Sequence, residues 1–185
     1  MSDVEDLLKR LVAATSHAGV PFMIAGSFAS TVHGLPRTTQ DLDVVIDPSD
    51  GIALDALVDA LLADEFYVDA DTARDALRSR SMFNAIDRSA WKIDFILRKG
   101  RPFSIEEFSR RTALQILGVP VFVASPEDTI IAKLEWSMQS GGSERQRGDV
   151  AGILATMGTE LDRGYIERWI LALDVETEWR AAQGL

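Results

Sequence analysis

The chain has 185 residues, of which 46% are apolar, with 29 acidic side chains against 19 basic ones and a formal net charge of −10. That is enough apolar material for one compact domain, or for one domain with a helical extension. The absence of cysteine excludes disulfides and thiolate zinc sites, and two isolated histidines make no histidine-based zinc cluster; the acid excess argues against a broad grip on nucleic acid, which needs many Lys and Arg contacts to phosphate. The amino-terminal stretch is acidic and lacks an apolar run before a cleavage site, and no stretch approaches the ~20 apolar residues of a membrane span. No membrane partner and a cytoplasmic location are the expectations. Val4, Leu7, Leu8, Leu11 and Val12 recur at threes and fours, which predicts an amphipathic first helix whose polar face carries Glu5, Lys9 and Arg10.

After Val20 and Pro21, a short apolar run over residues 22–25 meets Gly26 and Ser27, and Phe28, Ala29 and Val32 then follow with helical spacing. The pattern reads as strand, turn, helix. A glycine at the helix start lets the backbone approach a ligand and points free N–H groups at it, which favours phosphate, while Ser27 caps the helix or binds a phosphate oxygen. The segment Asp41-Leu42-Asp43-Val44-Val45-Ile46-Asp47 alternates acid and apolar residues. In a strand this puts Asp41 and Asp43 on one face, roughly 6.5 to 7 Å apart, with Leu42, Val44 and Ile46 on the other. Desolvating either charge costs several kcal/mol unless something neutralises it, so the pair suits a divalent cation or a strand end whose acids reach solvent.

An apolar strand, Gly26-Ser27, about a dozen residues and then Asp41-Leu42-Asp43-Val44 resembles the signature of the nucleotidyltransferase superfamily typified by DNA polymerase beta. The local wording, with His33-Gly34 and Arg37-Thr38-Thr39, resembles the branch that contains the AbiEii-type toxins and their uncharacterised relatives. The resemblance implies an α/β (α+β) nucleotidyltransferase fold, a mixed central sheet flanked by helices and followed by a C-terminal helical region. It implies that Gly26 and Ser27 hold the β and γ phosphates of a nucleoside triphosphate, with Arg37 and Thr38 in the same nucleotide-binding set. It also implies that Asp41 and Asp43 bind magnesium, two ions in all, for which manganese can substitute.

Further along, Pro48 and residues 49–51 make a turn before a second amphipathic helix on Leu54, Leu57, Val58, Leu61 and Leu62. Phe66, Tyr67 and Val68 form a short strand end. Residues 69–81 are polar with little periodicity and read as a loop with one helical turn; it is either a solvated connection or a segment moving over nucleotide, with Arg78 and Arg80 as candidate phosphate ligands. Residues 82–86 and 91–97 predict an antiparallel hairpin. In its second strand Ile93, Phe95 and Leu97 share one face, and Asp94 lies opposite with Lys92 and Ile96. Asp94 there needs a partner, either Lys92 or an arginine; the resemblance makes it the third metal carboxylate beside Asp41 and Asp43. Residues 103–113 read as a helix with Ser104 as cap and Glu107 completing a capping box, and residues 114–117 and 119–123 as a hairpin turned at Gly118.

From Ser125 onward only helices are expected, so the boundary falls between a sheet domain, 1–124, and a C-terminal helical region, 125–185, packed on it. Ser125 caps the next helix with Pro126 at its first position and Asp128 bonding back. Its buried stripe is Ile130, Ile131, Leu134 and Met138; Lys133 and Trp136 share another face, with Trp136 expected to pack. The resemblance puts Lys133 on the triphosphate. After the flexible break at residues 140–143, a helix from Glu144 carries Arg145, Arg147 and Asp149. Arg145 and Asp149 are spaced for a surface ion pair, and the resemblance adds Asp149 to the nucleotide-binding residues. One or two packing helices complete the chain.

The resulting expectation is a magnesium-dependent enzyme that moves a nucleoside monophosphate from a nucleoside triphosphate such as ATP to an acceptor hydroxyl and releases pyrophosphate. Asp41, Asp43, Asp94 and Lys133 are its catalytic set. The acceptor is an RNA end, in a toxin-like action with a cognate antitoxin as partner, or a protein, or a small hydroxylated molecule of the antibiotic type. The reading from another class is a catalytically silent nucleotide- or partner-binding protein on the same fold.

Overall fold

The computed structural model describes residues 3–36 and 38–184. Its strands are β1 (Phe22–Ile24), β2 (Asp41–Ile46), β3 (Tyr67–Val68), β4 (Met82–Ile86), β5 (Lys92–Leu97), β6 (Thr112–Ile116) and β7 (Val119–Val123). Its helices are α1 (Asp3–His17), α2 (Gly26–His33), α3 (Gly51–Ala63), α4 (Ala70–Ser79), α5 (Pro102–Ser109), α6 (Pro126–Gln139), α7 (Glu144–Met157), α8 (Arg163–Ala172) and α9 (Glu176–Gln183). The chain divides into two units: residues 1–24 with 39–123, and residues 25–38 with 124–185.

The first unit holds the sheet, a mixed one of order β3-β4-β5-β2-β1-β7-β6. β2 runs antiparallel to β1 and parallel to β5, and β4 and β5 form the expected hairpin. Alternation along the strands sorts side chains by face. Leu42, Val44, Ile46, Ile93, Phe95, Leu97, Phe83 and Ala85 are buried on one side, and Phe83 stacks on Phe95 with ring centroids 5.1 Å apart. On α1 and α3 the buried stripes are Leu7, Leu8 and Leu11, and Leu54, Leu57, Val58 and Leu61.

Several local expectations are corrected here. Arg10 is not on a solvated face: it is 8% exposed, donates to the Asp64 carboxylate at 2.7 Å, pairs with Asp87 at 3.4 Å and lies over the Phe66 ring. Leu62 falls outside the α3 stripe and is exposed. The polar stretch after Val68 is the ten-residue helix α4, opened by Asp69, whose carboxylate accepts from the Thr72 amide at 2.6 Å. Its buried residues are Ala73 and Ala76, with Leu77 half-buried beside them, too few large apolar side chains to stand out in the sequence. α5 begins at Pro102 after Arg101, without a side-chain cap, and ends at Ser109, so Ala113 belongs to β6. Leu117 and Gly118, both at positive φ, make the two-residue turn between β6 and β7.

In the second unit, α6, α7, α8 and α9 surround a core of Ile130, Leu134, Val150, Ile153, Leu161, Ile166, Ile170 and Val175. Met138 and Trp136 leave this core: Trp136 is 63% exposed, and Ser137 takes the buried position between them. Ser125 caps α6, and Asp128 accepts in turn from the Ser125 hydroxyl at 2.6 Å and from the Tyr165 hydroxyl. α2 packs on α6 and α7. Gly34, just past its end, permits this: a Cβ there would stand 3.0 Å from the Ile153 amide nitrogen. No helix among the described residues is long and apolar enough to cross a membrane.

His33 ties the end of α2 to the start of α6, its Nε2 lying 2.7 Å from the Ala124 carbonyl. Burial holds its pKa below the usual histidine value, outweighing the opposing pull of the Ala124 carbonyl and of Glu127. Below that usual value the unfolded chain takes a proton that the folded chain refuses, so stability is complete above it and falls as pH drops toward the folded value. Thermal unfolding at about pH 7.5 and about pH 5.5 should show a lower midpoint at the acid pH. His33→Gln, which keeps an N–H for the carbonyl, should narrow that difference.

Candidate active site

Two sets of polar side chains stand out, one in each unit. In the sheet unit the parallel register aligns Asp41 with Lys92, Leu42 with Ile93 and Asp43 with Asp94. Asn84 on β4 is the opposite partner of Asp94. Asp43, Asp94 and Asn84 therefore form a row across three adjacent strands, with Asp41 and Lys92 one step along, all on the sheet face opposite the core residues. Asp41 is exposed, Asp43 half-buried and Asp94 only 7% exposed. The predicted trio thus shares one face of the sheet.

The Lys92 ammonium sits among these carboxylates, 2.9 Å from Asp94 Oδ2 and 3.5 Å from Asp41 Oδ1. The hydrogen bond to Asp94 is the main reason its pKa is raised, with the Asp94 and Asp41 charges adding to it against desolvation. Asp94 Oδ1, by contrast, is buried without a hydrogen-bond partner. Among the described residues no three His, Asp or Glu side chains are arranged as a ready metal cluster. The donor set itself, all carboxylate oxygen with one buried oxygen unsatisfied, suits a hard divalent cation.

In the helical unit, α2 begins without a side-chain cap: Ala25 is its N-cap residue, and Gly26 has φ of 59°. Only glycine adopts this conformation without strain. Ser27 lies in the first helical turn, so the capping alternative for its hydroxyl is not realised, and Ser30 donates to the Gly26 carbonyl at 2.9 Å. Lys133, 5% exposed, donates to Asp149 Oδ2 at 2.7 Å and so joins α6 to α7. Asp149, expected opposite Arg145, instead faces this lysine; Arg147 lies 3.8 Å from Glu178 on α9. Next to Asp149 is a pocket of about 210 Å³ lined by Ser30, Leu35, Pro36, Gly148, Asp149 and Gly152.

No protein-family model and no curated protein matches the sequence. Solved structures do match. ANT(2")-Ia in complex with adenylyl-2"-tobramycin is 15% identical, with a TM-score of 0.62 over 95% of this chain and 99% of that one. An antigenic nucleotidyltransferase-like protein from Paracoccidioides brasiliensis is 17% identical, with a TM-score of 0.61 over 97% and 93%. The chain has the nucleotidyltransferase fold. The lincosamide antibiotic adenylyltransferase LnuA, bound to lincomycin, is also similar, at 10% identity and a TM-score of 0.55 over 80% of this chain and 95% of that one.

On the nucleotidyltransferase fold the expected residues fall into place unevenly. Asp41, Asp43 and Asp94 share a face of the sheet unit, while Gly26, Ser27, Lys133 and Asp149 belong to the helical unit with Thr38, which is exposed. Arg37 lies outside the described residues. Arg78 pairs with Asp75 on its own helix, and Arg80 stands 3.7 Å from Asp47. Sequence reasoning saw Lys92 only as a partner for Asp94 and not as a bridge to Asp41, because the second contact depends on strand register. It missed the pocket as well; the available signal was Gly148 and Gly152, one helical turn apart on either side of Asp149, which keep that face of α7 bare.

Proposed function

We propose that the protein is a magnesium-dependent nucleotidyltransferase that transfers a nucleoside monophosphate from a triphosphate such as ATP to an acceptor hydroxyl. The observation that carries this reading is the in-register pair Asp43 and Asp94, with Asp41 on the same sheet face, on a nucleotidyltransferase fold. Asp41, Asp43 and Asp94 would hold two divalent cations, which when bound supply Lewis-acid stabilisation to the reacting phosphate and its leaving group. Asp94 accepts the proton of the acceptor hydroxyl as its oxygen forms the new bond to the α phosphorus and the bond to pyrophosphate breaks. Gly26, Ser27, Arg37, Thr38, Lys133 and Asp149 bind the triphosphate, and Lys133 offsets charge gathering on pyrophosphate. All three acids are present, which disfavours a catalytically silent role.

A small hydroxylated acceptor is the favoured case. ANT(2")-Ia and LnuA, whose structures hold an adenylylated tobramycin and lincomycin, are covered by this chain over 99% and 95% of their length. A net charge of −10 also disfavours a long RNA acceptor. The experiment supplies each labelled triphosphate with magnesium or manganese to separate pools of small hydroxylated compounds, transfer RNA and cell protein. Label is expected in the small-molecule pool. Label in transfer RNA, with binding weakened by Arg145→Ala and Arg147→Ala and by salt, would support instead the toxin-like reading, with a cognate antitoxin as partner in the cytoplasm; no label in any pool would favour the binding protein.

A further inference from the structure

Lys92 occupies an unusual place for a lysine beside a cation site. It is the cross-strand partner of Asp41 and lies two residues before Asp94 on the same face, so its stem rises between the two carboxylates. The ammonium reaches both, at 2.9 Å and 3.5 Å, while the second oxygen of Asp94 stays buried and unsatisfied. The side chain is 37% exposed, so its four-carbon stem has a route into solvent. A divalent cation that draws on Asp94 and Asp41 must take over the charge that this ammonium now neutralises.

We infer that Lys92 is a built-in counter-ion that holds the carboxylate face without metal and must leave Asp94 and Asp41 before a divalent cation binds there, thereby setting the cation concentration at which the site loads. The inference rests on the proposed role of Asp41, Asp43 and Asp94. A fixed positive charge within a few ångströms of a cation weakens its binding, and at surface-like screening its removal is worth about tenfold or more in affinity. Arginine keeps the charge and should keep the competition, though its planar fork will not reproduce the geometry in full.

The test is manganese binding to the nucleotide-free full chain, followed by electron paramagnetic resonance of the free ion, for the native protein, K92Q, K92R and D43N. K92Q should bind manganese about tenfold or more tightly than the native protein, K92R within a few-fold of it, and D43N should lose binding. A K92Q affinity equal to or weaker than the native one, with binding still lost in D43N, overturns the role of Lys92 and leaves the carboxylate site standing. Absence of binding in every protein, or binding untouched in D43N, overturns the carboxylate site and this inference with it. A second measurement needs no variant: the rate of Lys92 reductive methylation in the native protein, read by mass spectrometry, should rise as magnesium is added. A rate that stays constant to saturating magnesium would contradict release of the ammonium.

Discussion

Asp43→Ala is expected to cut nucleotidyl transfer by about a thousandfold or more while leaving the thermal unfolding midpoint unchanged or raised. A thousandfold corresponds to about 4 kcal/mol of transition-state stabilisation, a reasonable loss for a carboxylate that holds a catalytic cation. The fold should not suffer. Leu42, Val44 and Ile46, on the other face of β2, are fully buried and supply its packing, and the ladders to β1 and β5 are made by backbone. Asp43 and Asp94 are cross-strand partners of like charge, and their mutual repulsion is relieved in the variant. Asp41→Ala should lose transfer similarly, but it also removes one of the two carboxylates that Lys92 reaches. Initial rates with an α-labelled triphosphate, alongside melting curves, separate the two effects. Near-normal transfer by a folded Asp43→Ala protein would sink the cation-site assignment.

The parts of this site legible in the sequence are those that depend on local period. Asp41-Leu42-Asp43 and Ile93-Asp94-Phe95 declare their faces because a strand alternates every residue, and the structure keeps both alternations. Contacts set by register or long-range packing were not legible. Arg10 shares the first helix with Glu5 and Lys9, yet it is buried by Asp64, Asp87 and Phe66, all far along the chain. Likewise α2 follows β1 after a single residue, but it belongs to the unit built from the chain's C-terminal helices, which no change of composition marks. α4 was hidden for a third reason: its amphipathic contrast is carried by a charged face, while the side chains it buries, Ala73 and Ala76, are small. Lys133 combines the two cases. Helical spacing separates it from the Ile130 and Leu134 stripe, but its burial depends on α7 presenting Asp149 to it.

That burial changes what substitution of Lys133 should do. On an exposed face Lys133→Ala would be nearly silent for stability, since alanine is a good helix former. Here it leaves the Asp149 carboxylate, with 11% of its side chain exposed, without the lysine 2.7 Å away. Breaking one side of a buried ion pair costs about 3 to 5 kcal/mol, a large part of the stability of a domain this size. Lys133→Ala is therefore expected to lower the denaturation midpoint sharply as well as to weaken triphosphate binding. The pair of effects is separable. In Lys133→Met with Asp149→Asn, the stem volume is kept and neither charge remains, so most of the lost stability should return. Triphosphate affinity should not return, because a neutral thioether cannot replace a point charge on phosphate. Denaturant titration and calorimetric titration of the nucleotide on the native, single and double variants give the comparison. If the double variant recovers affinity together with stability, Lys133 serves only to join α6 to α7.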